Sequence, residues 1–127
     1  MSRPRHAVVE TPEFLSRARR LLTDGERAAL VDYLSTDPTA GILPAGTGGA
    51  RKLRWAAKGK GKSGGVRAIT YFGGGDIPVF LLSVFAKSDQ ANISPAERNE
   101  LKAVLSNLAT DYRKGVLIHV QGRKKHP

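Results

Sequence analysis

The hydrophobic period of this chain changes twice, and those changes limit what it can fold into. Between residues 12 and 34 apolar side chains recur at helical spacing, as Phe14, Leu15, Ala18, Leu21 and Leu22, then Leu30, Val31 and Leu34. From Arg51 the period drops to two, with Leu53 and Trp55 pointing one way and Lys52 and Arg54 the other. After residue 94 the helical spacing returns in Leu101, Val104, Leu105, Leu108 and Tyr112. The order predicts an α+β domain: an antiparallel sheet of about four strands, an N-terminal helical hairpin and a C-terminal helix.

Local signals set the expected boundaries. Val8 and Val9 centre a short strand over His6 to Glu10. Thr11 followed by Pro12 starts a helix that runs to Leu22, and Thr23 with Glu26 forms a capping box for a second helix that must stop before Pro38. Residues 37–49 read as a loop punctuated by glycine and proline. Val66 to Phe72 is apolar on both faces, as in a central strand, with Arg67 as the exception. Pro78 to Lys87 follows, with Phe80, Leu82, Val84 and Ala86 expected on one face and Ser83, Phe85 and Lys87 on the other. Ser94-Pro95-Ala96-Glu97 starts the last helix, which is expected to cover the core face of the sheet and stop at Gly115. A short strand is expected over Val116 to Val120, and a frayed basic tail over residues 122–127.

A chain of 127 residues suits one domain, here residues 1–127 with a core over about 7–112. With no Cys there are no disulfides, no thiolate chemistry and no Cys-based zinc site. No signal-peptide pattern opens the chain, and no apolar run reaches the roughly 18 residues of a membrane span. A cytoplasmic protein with no membrane partner is expected.

Charge gives the clearest functional signal. No acidic residue lies between Asp37 and Asp76, yet Arg51, Lys52, Arg54, Lys58, Lys60, Lys62 and Arg67 all do. Seven cations there, in a chain of net charge +10, make a one-signed surface suited to a phosphate polyanion. Gly61-Lys62-Ser63 is not a P-loop, because Ala56 stands where the motif needs Gly and a strand rather than a helix follows. Lys58, Lys60 and Lys62 read as an arm on a nucleic-acid backbone, or more simply as a solvated loop. His6, His119 and His126 lie near the termini, and no His, Asp or Glu cluster has metal-ligand spacing, so neither a metal nor another cofactor is expected. Trp55 reads as packing; Tyr71 shares a strand face with Arg67, and reads either as core packing or as a base-stacking or phosphate contact.

Lys52, Arg54, Arg67 and Lys87 are the candidates for chemistry. Alternation lets all of them share one sheet face, where bare cations repel unless an anion neutralises them. Such a set can bind phosphate, dock a partner, or stabilise the charge that builds as an RNA 2′-hydroxyl attacks phosphorus.

The segments GTGGARKLRW, GKGKSGGVRAITYF and FLLSVFAKSDQANIS resemble the RelE/ParE toxin superfamily of bacterial toxin–antitoxin systems, in particular its HigB-like branch. The resemblance implies a ribosome-dependent endoribonuclease that cuts messenger RNA in the ribosomal A site and is held inactive by a cognate antitoxin, commonly a helix-turn-helix, HigA-like one. It implies that Lys52 or Arg54 acts as general base, that Arg67 stabilises the transition state, and that Lys87 assists the leaving group or the phosphate. Arg51, Lys58, Lys60, Lys62 and Tyr71 would contact messenger RNA or the 70S ribosome. Two rival readings are a ParE-like gyrase inhibitor, which shares the fold without this cationic set, and a non-catalytic RNA- or ribosome-binding module.

Overall fold

The computed structural model describes residues 5–57, 65–87 and 92–125, the last ten of them as backbone. In chain order the elements are β1 (Val8–Glu10), α1 (Pro12–Leu21), α2 (Asp24–Thr36), β2 (Ala50–Trp55), β3 (Val66–Tyr71), β4 (Val79–Ala86) and α3 (Pro95–Lys125). Each helix begins where its cap dictates. The Thr11 hydroxyl oxygen accepts from the Phe14 N–H, while the Thr11 hydroxyl donates to the Leu81 carbonyl at 2.8 Å, so the cap also fastens α1 to β4. Thr23 and Glu26 form a complete capping box, as do Ser94 and Glu97 at the start of α3.

The four strands lie in the order β1-β4-β3-β2. β2, β3 and β4 are antiparallel neighbours, but β1 pairs parallel to β4, so the expected antiparallel sheet is mixed. Both β1 and the start of α1 are tied to β4, by the N–H of Val79 to the Ala7 carbonyl and the N–H of Thr11 to the Leu81 carbonyl.

β3 is buried on both faces, so the sheet needs a cover on each side. On one side Phe14, Ala18, Leu30 and Leu34 of the hairpin pack on Leu53, Val66, Ala68, Leu81 and Val84. On the other, Leu105 of α3 packs with Ala50, Ile69, Phe85 and Ile93. α3 therefore covers the face opposite Leu53 and Trp55, not the same face as expected, because the hairpin already occupies that one. The apolar stripe of α3 is narrower than its spacing suggested: Leu105 is 3% exposed but Val104 is 55% exposed.

A β-bulge corrects the reading of β4. Thr70 pairs with Leu81 and Ile69 with Ser83, so Leu82 is an extra residue and the alternation reverses there. Leu81 and Val84 enter the hairpin core while Leu82 and Phe85 face α3, and the expected set Phe80, Leu82, Val84 and Ala86 is split between the two faces. The helix also does not stop at Gly115. α3 runs through it to Lys125, and residues 116–120 are helical rather than a strand. A single interior glycine costs a helix only about 1 kcal/mol, and nothing crowds this one.

Candidate functional site

One end of the α3-side face of the sheet carries a cluster of cations. Arg54 on β2 pairs directly with Arg67 on β3, and Arg67 in turn pairs with Phe85 on β4. Lys52 stands two residues before Arg54 on the same face. Lys87 follows the last residue of β4, its N–H donating to the Gly65 carbonyl at 3.3 Å. Gly65 is required there: its φ is +70°, and a Cβ would lie 2.4 Å from the Trp55 carbonyl oxygen. The close approach brings the end of β2, the start of β3 and Lys87 together.

Lys52, Arg54, Arg67 and Lys87 line one cleft of about 440 Å³, with Gly41, Ile42, Leu53 and Asn92 forming the rest of its wall. No carboxylate is among the described residues that line it. Like charges directly across a strand pair are destabilising. Arg67 feels this most, being 4% exposed: its guanidinium is held below its ordinary pKa by burial first and by the charge of Arg54 second. Its Nη1 donates to the Val66 carbonyl at 3.2 Å, which helps fix the head. Lys52 Nζ donates to the Asn92 side-chain oxygen at 2.7 Å, which orients the amine. The cleft thus gathers four cationic side chains, with the Arg67 guanidinium buried among them.

The other candidates fall elsewhere. Arg51 points to the opposite side of β2, where its Nη1 donates to the Thr39 carbonyl at 3.3 Å. Tyr71 shares the face of Arg67 but stands four residues along β3, opposite Ala50, and packs against the apolar cluster beneath α3. Lys58, Lys60 and Lys62 lie outside the described residues. Trp55 packs beside Tyr33 and donates its indole N–H to the Glu26 carbonyl at 3.3 Å.

Three lining residues escaped the sequence reading. Gly41 and Ile42 sit in an aperiodic loop, and Asn92 carries no pattern at all. Ile42 reaches the cleft because its N–H and carbonyl both bond Lys52, at 3.0 and 2.8 Å, adding a one-residue stub to the free edge of β2. The positive φ that Gly41 adopts was the available hint, since a Gly inside such a loop often marks a close backbone approach.

The family described as the RelE toxin of the RelE/RelB toxin–antitoxin system matches residues 35–122, more than half of the chain. The chain belongs to the RelE toxin family. The matched segment spans β2, β3 and β4 and every residue lining the cleft. Membership in a toxin–antitoxin family implies an antitoxin partner for this RelE-family chain. Among the described residues no helix is long and apolar enough to cross a membrane.

Proposed function

We propose that this RelE-family chain is a ribosome-dependent endoribonuclease of the cytoplasm, cutting messenger RNA in the A site at the cleft around Arg67. The observation that supports it is a buried guanidinium on the inner strand β3 that lines one cleft with three further cations. In this reading the substrate 2′-hydroxyl attacks the adjacent phosphorus and its proton passes to the Lys52 amine. Lys52 suits that role better than Arg54, because a guanidinium does not give up its proton in a protein and Asn92 already orients the amine. Arg67 and Arg54 hold the charge that develops on the phosphoryl oxygens, where fixed donors act most strongly. The bond to the 5′-oxygen breaks, Lys87 protonates that oxygen, and the products are a 2′,3′-cyclic phosphate and a 5′-hydroxyl. The cationic set favours this over gyrase inhibition, which does not need it. An antitoxin segment with acidic side chains, from a helix-turn-helix protein of the HigA-like kind, would silence the toxin by occupying the same cleft. Arg51, Lys58, Lys60 and Lys62 are proposed to hold ribosomal or messenger RNA, and Tyr71 to contact RNA at the margin.

Primer extension on a message translated in vitro tests this. Cuts in codon register that disappear without ribosomes support the reading; a message left whole while translation stops would replace it with a ribosome-binding module.

A further inference from the structure

Beside the four cations the cleft has an apolar lip that phosphate binding does not use. Ile42 is 61% exposed, an unusual state for an isoleucine whose backbone is held by two hydrogen bonds. The mutual bonds make Ile42 and Lys52 a hydrogen-bonded antiparallel pair, whose side chains project to the same face. That face is the cationic one, so the aliphatic side chain stands next to the Lys52 amine and lines the same space as Arg67 and Lys87. The position is also built into the backbone. Gly41 has φ of +96°, and a Cβ there would lie 2.5 Å from the Lys52 carbonyl oxygen, so only glycine lets the stub approach β2.

We propose that Ile42 is the apolar wall of a nucleobase subsite, packing on the face of the base whose phosphate is held by Arg54 and Arg67. This rests on the reading of the cleft as an RNA phosphate site and extends it to the base. The cations recognise the part common to every nucleotide. Ile42 offers nothing to an inorganic anion, but it matches the apolar π-face that a splayed-out base exposes. An aliphatic wall contributes contact without hydrogen-bond readout, so it favours the presence of a base, and larger rings over smaller ones, rather than one sequence.

The test is methyl NMR of the full chain, with the Ile42 Cδ1 methyl assigned through Ile42→Val. It is titrated with a purine nucleoside 3′-monophosphate, a pyrimidine nucleoside 3′-monophosphate and ribose phosphate. The expected result is an upfield ring-current shift of that methyl with both nucleotides and none with ribose phosphate. The nucleotides should also bind roughly three- to tenfold more tightly than ribose phosphate, a margin that Ile42→Ser removes. Unchanged Ile69 and Ile93 methyls in that variant show that the core beneath α3 is intact. Equal affinity for all three ligands with the Ile42 methyl unmoved overturns the base subsite while keeping the phosphate site. A methyl that ignores every nucleotide and moves when the cognate antitoxin is added overturns it as well, and assigns Ile42 to a protein contact. Base-dependent binding without messenger cleavage keeps the subsite and removes the nuclease.

Discussion

The two ends of the α3-side face of the sheet are made by the same strands and treat charge in opposite ways. At the end where Ala50 pairs with Tyr71, Leu105 packs over the face, Phe80 meets Tyr112 edge-on at 5.8 Å, and Asp76 and Arg113 join the β3–β4 turn to α3 by a bidentate ion pair. At the end where Arg54 pairs with Arg67, roughly 13 Å further along the strands, the face borders the cationic cleft, and the charge of Arg54 helps lower the pKa of Arg67. Charge at the Tyr71 end is matched within the chain. At the other end Lys52 donates to the Asn92 side-chain oxygen and Arg67 to the Val66 carbonyl. The strands thus place an ion pair at one end of this face and a cluster of like charges at the other.

The largest expected effect separates the ends through chemistry. Lys52→Met should cut messenger cleavage by about 10²- to 10⁴-fold, read as a single-turnover rate, with the melting temperature nearly unchanged. The converse change is Leu105→Ala at the Tyr71 end. It should destabilise the protein by about 2–4 kcal/mol in denaturant titration while leaving cleavage per folded molecule intact. Gly41→Ala should cost about 1 kcal/mol or more through its positive φ and the clash with the Lys52 carbonyl, and should weaken substrate binding by displacing Ile42.

The smallest effect concerns pH. The hydrogen bond from Arg113 holds the Asp76 carboxyl below its ordinary pKa of 3.8, so the pair contributes stability above that value and loses it as pH falls through the depressed one. Asp76→Asn should therefore melt slightly below wild type at pH 7, and the two curves should converge as the pH drops below the ordinary carboxylate range. A gap that persists in acid would mean that the contact acts by packing and not by charge.

Much of this was legible because the signals are local. Thr11-Pro12, Thr23 with Glu26, and Ser94 with Glu97 each placed a helix start from residues that bond within one turn. The alternation of Lys52, Leu53 and Arg54 placed one face of β2 in the same way. What escaped depends on distant or phase-free information. A strand apolar on both faces gives no alternation to reveal the bulge at Leu82. The parallel pairing of β1 is decided by residues about seventy positions away, at Val79 to Leu81. Gly115 looked like a stop, but without a following proline its cost is too small to end a helix that the next residues continue. The lip of the cleft was hidden for the same reason as β1, since Ile42 and Asn92 matter only through Lys52.

The most direct test of the catalytic reading compares rate with binding in Arg67→Ala. Single-turnover cleavage on ribosomes with a message in the A site is measured beside the affinity of the same protein for those ribosomes. The expected result is a rate lowered about 10²- to 10³-fold, as for loss of one fixed transition-state donor, with affinity within a few-fold of wild type. An affinity that collapses while the residual complex cuts at the wild-type rate would contradict it, and would make Arg67 an anchor for phosphate rather than part of the chemistry.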